Sequence, residues 1–213
     1  MLFRSVGFGA SLEWLIASIP LTVLSTFVII QLMMPTTHSE ETVIEVEGDK
    51  GSNAIDTMMI YANAGFKAVI GVSIALMVFL SLVYMANNLL GFVSVKLTLQ
   101  KIVGVLFYPL SLLMGVPTSE LSLVSELLAT KLITNEAVAF GLSNFNALSE
   151  STKAMTTVGL AGFANISSIG IMLGGYSAIA PDQVKVVAKL GIKALIAATI
   201  VNLMSASVIA LFV

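Results

Sequence analysis

Four polar residues in this chain could bind a ligand: Glu136, Asn165, Ser167 and Ser168. Glu136 lies between two apolar segments, and the other three fall within residues 154–181, which contain no charged residue. A carboxylate, an amide and two hydroxyls together offer several hydrogen-bond acceptors and donors. Polar groups placed in such apolar sequence are typical of sites that bind a substrate or an ion at membrane depth.

The composition is that of an integral membrane protein. Of the 213 residues, 57% are hydrophobic and 10% are charged, and the mean hydropathy is +1.01. Soluble domains carry about 25% charged residues. The chain has no Cys, and its single His is His38, so thiolate and multi-histidine metal sites are excluded. With a net charge of -2 and no basic patch, nucleic acid is not an expected partner. A carrier or channel is therefore favoured over an enzyme.

The long apolar segments predict an all-α fold with about four spanning helices. Residues 15–34 form the first, since about 20 apolar residues cross a hydrocarbon core of about 30 Å. Residues 35–52 follow as an acidic exposed loop, where a solvated surface is favoured over a cation site. Asn53 is then expected to cap a long second helix, with Asp56 in its first turn.

Two segments do not match a straight spanning helix. Residues 96–115 hold a short apolar run next to lysines, which predicts an amphipathic helix near the membrane interface. Beyond its first turn, segment 116–147 carries Glu126, Lys131 and Glu136. Each ion at mid-bilayer costs about 2.5–3.5 kcal/mol, so we expect a re-entrant hairpin that is buried in protein. Thr118 is its expected helix cap, and Thr134 and Asn135 are the expected break.

Residues 149–178 predict a broken helix that starts at Ser149. Five glycines lower its helix propensity by about 1 kcal/mol each and permit close helix packing: Gly159, Gly162, Gly170, Gly174 and Gly175. A break at 162–168 exposes backbone groups that a polar substrate can satisfy. Asn165 and Ser168 share one face of any helical turn there, and either a ligand or a neighbouring helix could be their partner.

Residues 182–213 form the last expected spanning helix. Lys185, Lys189 and Lys193 lie four residues apart on one face at its start. Because cytoplasmic loops are enriched in Lys and Arg, the loop before this helix is predicted to be cytoplasmic and the C-terminus to be outside. Lysines that reach the interface are favoured over a phosphate site.

Two motifs resemble the concentrative nucleoside transporter family. The first is Thr130-Lys131-Leu132 with Asn135-Glu136, and the second is Gly162-Phe163-Ala164-Asn165 with Ser167-Ser168-Ile169-Gly170. The similarity runs from about Leu12 to the C-terminus and corresponds to the C-terminal half of the family. Within the first motif, four residues differ from the Gly, Leu, Phe and Tyr of the family: Ala129, Thr134, Ala137 and Phe140.

The resemblance implies half of an inverted-repeat secondary transporter with one re-entrant hairpin. It implies multi-pass insertion in the plasma (inner) membrane among lipids, a homotrimer in the intact protein, and nucleoside uptake driven by a Na⁺ or H⁺ gradient. The ribose-binding positions would be Glu136, Asn165, Ser168 and Phe163. Asn135 and Ser167 would support them. The resemblance implies no cofactor and no metal site in this chain, and the ligands of the coupling ion would lie largely outside it.

The family's first hairpin, which contacts the base and helps to form the cation site, has no counterpart in these 213 residues. We therefore expect a fragment that supplies the ribose-binding half of a transporter. The alternative is a truncated or split membrane subunit that does not transport by itself and needs a partner carrying the first hairpin.

Overall fold

The computed structural model describes residues 7, 9–35, 51–95 and 97–213, and every regular element in them is a helix. The helices are α1 (Leu12–Met33), α2 (Ala54–Val93), α3 (Leu99–Leu113), α4 (Leu121–Ile133), α5 (Glu136–Phe140), α6 (Ser143–Asn146), α7 (Glu150–Ala161), α8 (Ile166–Ile179), a 3₁₀ turn (Pro181–Gln183) and α9 (Val184–Ile209). Most of the predicted acidic loop, with His38, lies outside the described residues.

Four helical segments in the described ranges are long and apolar enough to cross a membrane. They are Leu12–Met33, Ala54–Val93, Glu150–Ser177 and Pro181–Ile209. This confirms the predicted all-α membrane fold with about four spanning helices. The start of α2 is also as expected, since the Asn53 side chain accepts a hydrogen bond from the Asp56 N–H at 2.9 Å.

The buried core is formed largely by residues of α4 to α7 and of α9, with α4, α5 and α9 each packed against α7. Leu127 and Leu160 are fully buried there, on α4 and α7. Phe140 and Phe145 meet edge to face, with ring centroids 5.2 Å apart and an interplanar angle of 79°. Such aromatic pairs add about 0.5–1.5 kcal/mol beyond the burial of area, so this pair ties α5 to α6.

Residues 96–115 were expected to hold an amphipathic helix, and α3 is a helix with two different faces. Its inner face buries Gly104, Phe107 and Ser111, and it packs along α4. The hydroxyl of Ser125 on α4 lies 3.1 Å from that of Ser111. The outer face exposes apolar side chains such as Leu106. Its location at the membrane interface stays a prediction.

The expected cap at Thr118 is wrong. Glu120 is the residue before α4, and its N–H bonds the Pro117 carbonyl within a turn. The Glu120 carboxylate accepts hydrogen bonds from the Ser149 N–H at 2.8 Å and the Ser149 hydroxyl at 2.9 Å. Burial raises the pKa of Glu120, but hydrogen bonds from Thr152 and Ser149 outweigh this and hold the pKa below its usual value. The carboxylate therefore joins the start of α4 to the start of α7.

Glycines bring α2 and α8 into backbone contact. A Cβ built on Gly174 would lie 2.9 Å from the carbonyl carbon of Gly71, and one on Gly170 would overlap the ring of Phe79. Small residues allow transmembrane helices to approach this closely. Gly170 and Gly174 of the predicted broken helix therefore act in helix packing.

Candidate functional site

The first helix break lies between α4 and α5, at the two residues predicted from sequence. Thr134 ends α4, and its hydroxyl bonds the Thr130 carbonyl at 2.6 Å. Asn135 begins α5, and its side-chain oxygen accepts the Val138 N–H at 2.9 Å. Asn135 is thus the helix cap of α5. The result is that Glu136 stands in the first turn of α5, with only 2% of its surface exposed.

The broken helix is interrupted between α7 and α8. Gly162 has φ -74° and ψ 146°, which any residue can adopt. A side chain at Gly162 is excluded by packing instead, because the Asn202 amide occupies the space that a Cβ would need. On the other side of the break, Asn165 caps α8 by accepting the Ser168 N–H at 2.8 Å. The Ser168 hydroxyl accepts the Asn165 N–H at 3.3 Å, which completes a capping box.

The two breaks meet in the interior. The Asn165 side-chain N–H donates to Oε2 of Glu136 at 3.2 Å. The Ser167 hydroxyl lies 2.6 Å from Oδ1 of Asn165 and 3.2 Å from the Thr134 carbonyl oxygen. Because a hydroxyl has one proton, it can donate a hydrogen bond to only one of these two acceptors at a time. The structure therefore brings Glu136, Asn165, Ser167 and Ser168 together, and we call these four residues the polar cluster.

Each member of the polar cluster is almost completely buried. The exposed fractions are 2% for Glu136, 0% for Asn165, 1% for Ser167 and 6% for Ser168. Buried polar groups are costly unless they are hydrogen-bonded, and here they bond one another across the two breaks. Interhelical hydrogen bonding, one of the two alternatives drawn from the sequence, is thus present in this conformation. A ligand would exchange some of these bonds for its own.

Phe163 lies outside the polar cluster but next to it. Its side chain is 48% exposed and lines two cavities. The smaller, of ≈ 120 Å³, is also lined by Asn165 and Ser168. The larger, of ≈ 380 Å³, lies between α1, α9 and the helix break, and its volume is within the usual range of about 300–1,000 Å³ for small-molecule sites.

Two polar residues at this site were not assigned a role from the sequence. Lys131, on α4, donates from Nζ to the Gly159 carbonyl at 2.8 Å and is 4% exposed. Asn202, on α9, is 4% exposed, and its Nδ2 atom has no hydrogen-bond partner within the described part of the chain. In the sequence, both residues could have been found by the same feature, because each is a polar side chain in an otherwise apolar segment.

Similarity to known proteins extends over nearly the whole chain. Residues 14–210 match the family described as Na⁺ dependent nucleoside transporter C-terminus. The chain is 35% identical to an uncharacterized transporter of Haemophilus influenzae, over 97% of this chain and 53% of the relative. It is 30% identical to the nucleoside permease NupC of Helicobacter pylori, over 96% of this chain and 52% of the relative. It is also 30% identical to the sodium/nucleoside cotransporter 1 of Mus musculus, over 95% of this chain and 35% of the relative.

Solved structures of the protein CNTnw have the same fold. A CNTnw variant in an outward-facing state matches with a TM-score of 0.84 at 36% identity, over 98% of this chain and 52% of that chain. CNTnw in an inward-facing, substrate-bound state matches with a TM-score of 0.75 at 37% identity. This match also covers 98% of this chain and 52% of that chain. The chain thus spans about half the length of the two bacterial relatives and of the CNTnw chains, and about a third of the mouse cotransporter.

The same family is indicated by the family match, by the relatives and by the fold. Each of these similarities includes the two helix breaks that form the polar cluster. The matching proteins are transporters and not enzymes, as the composition predicted. The chain belongs to the concentrative, Na⁺-dependent nucleoside transporter family and corresponds to its C-terminal half.

Proposed function

We propose that this chain supplies the ribose-binding half of a membrane transporter that takes up nucleosides by coupling to a cation gradient. The contact between Glu136 and Asn165, made across two facing helix breaks in apolar surroundings, carries the proposal. Irregular backbone at membrane depth is tolerated where it is buried in protein or lines a cavity, and substrate sites of secondary transporters are formed at such breaks.

The chemistry of the polar cluster suits a ribose. Sugar hydroxyls donate hydrogen bonds, and the Glu136 carboxylate is an acceptor whose bonds are worth about 1.5–3 kcal/mol each. Asn165 offers an amide donor and acceptor, and Ser168 offers a hydroxyl that can do both. A nucleoside is uncharged, so no Arg or Lys fork is required to bind it. Phe163 provides an apolar surface at the edge of the same site.

The cluster is arranged before a ligand enters. The Asn165 side chain is oriented by its hydrogen bond from the backbone at the start of α8. Asn135 caps α5 directly before Glu136, so the backbone that carries Glu136 is fixed as well. A ribose hydroxyl that takes the place of Asn165 on Glu136 exchanges one hydrogen bond for another. Little side-chain ordering remains for binding, and a preorganised site binds more tightly for that reason.

Further properties of the intact protein belong to the same proposal. The coupling ion is Na⁺ or H⁺, with ligands largely outside this chain, and the sodium named for the family and for the mouse relative supports Na⁺. The intact protein is a homotrimer in the plasma (inner) membrane. The loop before α9 faces the cytoplasm, as the lysines at its start favour.

Uptake of radiolabelled uridine tests the proposal. The chain is expressed in cells that lack nucleoside uptake, alone and together with the N-terminal half of a relative that carries the first hairpin. Uptake is expected from the pair, and Glu136→Gln is expected to lower it about tenfold or more, because an amide replaces the charged acceptor. Glu150→Gln is the matched control, since the Glu150 side chain is 91% exposed and pairs with Lys153.

Two results would contradict the proposal. Normal uptake by Glu136→Gln rejects the ribose site. A pair that assembles in the membrane but takes up no nucleoside favours the alternative of a non-transporting membrane subunit.

A further inference from the structure

We infer that Lys131 is a positioning residue for the nucleoside site, which aligns the two helix breaks and balances the charge of Glu136. This inference rests on the proposed function for its substrate. Its structural part, the link that Lys131 makes between the two helix breaks, stands on a contact that does not depend on any ligand.

The first contact joins the hairpin to the broken helix. Lys131 is in the last turn of α4, and its Nζ reaches across to the Gly159 carbonyl in the last turn of α7, at 2.8 Å. Carbonyls in the last turn of a helix lack intrahelical partners, and that end of the helix carries a partial negative charge. Lys131 therefore caps α7 only three residues before the break begins at Gly162.

The second observation is that two groups of opposite charge are buried at one break. Lys131 precedes Glu136 by five residues across the hairpin break, and both side chains lie in the interior. Both side chains are at least 96% buried, with exposed fractions of 4% and 2%. A buried charge without a partner is strongly destabilising, whereas a buried charge with an opposite neighbour is tolerated. Each residue thus lowers the cost of burying the other.

Together these features restrict where Glu136 points. The Asn165 amide holds the carboxylate from the α8 side at 3.2 Å, and Lys131 is the buried cation on the α4 side of the same break. Lys131 is itself anchored on α7 through Gly159. If Lys131 is removed, the α7 carbonyl loses its donor and Glu136 loses its compensating charge, so the carboxylate can turn away from the ribose position.

Thermal unfolding of the purified protein tests the coupling without any nucleoside. Lys131→Met, Glu136→Gln and the double variant are compared in a double-mutant cycle. Each single variant is expected to melt at a lower temperature, because it leaves one buried charge uncompensated. The double variant is expected to melt above the temperature that the sum of the two losses predicts. Additive losses would overturn the inference. If Lys131→Met does not accumulate, the double variant is expected to accumulate, and its failure would also count against the coupling.

Ligand discrimination tests the positioning role. Apparent affinities for uridine and for 3′-deoxyuridine are measured for the wild type, Lys131→Met and Lys131→Arg. The wild type is expected to prefer uridine about tenfold, Lys131→Met to lose most of that preference, and Lys131→Arg to retain part of it. Lys153→Met, at an ion pair on the first turns of α7, is the matched lysine control.

The outcomes separate this inference from the proposed function. Lower protein amounts with an unchanged uridine preference would mean that Lys131 is structural only, and would overturn the positioning role. A wild type that neither takes up nor discriminates nucleosides would reject the proposed function, and the thermal cycle would still decide whether Lys131 and Glu136 are coupled.

Discussion

At the scale of single residues, Asn165 does two things with one side chain. Its Oδ1 accepts the Ser168 N–H and so begins α8, and its Nδ2 donates to Glu136 on the opposite break. The first role is local, because Asn is a common helix cap and the residue it bonds is three positions along the chain. The second role could not be predicted from the sequence, because its partner is 29 residues away and is set by how the two helix breaks dock.

These two roles can be separated by substitution. Asn165→Ser keeps a capping side chain but is too short to reach Glu136, whereas Asn165→Ala loses both functions. Removal of a cap costs about 1 kcal/mol. For a chain of this length that corresponds to a melting temperature about 2–4 °C lower. We therefore expect Asn165→Ser to melt above Asn165→Ala by this amount.

The same two variants are expected to share a functional defect. Both lack the amide that orients Glu136, so uridine uptake is expected to fall about tenfold in each. Scanning fluorimetry and radiolabelled uptake provide the two measurements. Asn165→Ser with normal uptake would contradict the role of the amide in the site.

At the scale of helices, the break positions could be read from sequence more reliably than their neighbours. Thr134 and Asn135 interrupt an apolar run, and Gly162 begins a segment that is poor in helix formers, so local chemistry marks both breaks. The start of α4 was misplaced at Thr118 because Glu120, a weaker candidate by local rules, is engaged by Ser149 on another helix. Local propensity was overridden there by a tertiary contact.

The crossing of α2 and α8 gives a prediction with a built-in control. Gly174→Ala places a methyl group 2.9 Å from the Gly71 carbonyl carbon, whereas Gly175→Ala meets nothing within 4 Å. By helix propensity alone, either change should stabilise α8 by up to about 1 kcal/mol. Because overpacking costs about 1–3 kcal/mol, we expect Gly174→Ala to melt lower than wild type and Gly175→Ala to melt at or above it. Equal melting temperatures for the two variants would refute the backbone contact.

At the scale of the whole molecule, the surface is apolar in a way that a soluble protein could not sustain. α2 has no buried residue along its 40 positions. Its side chains, such as Phe66 and Tyr84, face outward with 66% and 73% of their surface exposed. Lipid tails, the other half of the transporter and neighbouring subunits are the surroundings that the proposed function supplies for this surface. Contiguous apolar patches of this size mark membrane or protein contacts.

The orientation of the chain in the membrane can be measured directly, because the chain contains no Cys. A single cysteine is introduced as Lys189→Cys near the start of α9, or as Phe212→Cys after its end, where the side chain is 76% exposed. With a membrane-impermeant maleimide on intact cells, we expect Phe212→Cys to be labelled and Lys189→Cys to be labelled only after permeabilisation. The reverse labelling pattern would show that the chain has the opposite orientation to the predicted one.

The sequence by itself determined the membrane class, the approximate helices and the two breaks, since hydrophobic length, glycine and capping residues act over a few neighbouring positions. Its motifs also indicated the family. Only the tertiary structure decided which polar groups meet: Asn165 with Glu136, Lys131 with Gly159, and Asn202 against Gly162. These contacts join residues far apart in the chain, and they depend on how helices dock in the interior, where each buried polar group must find its partner or stay unpaired.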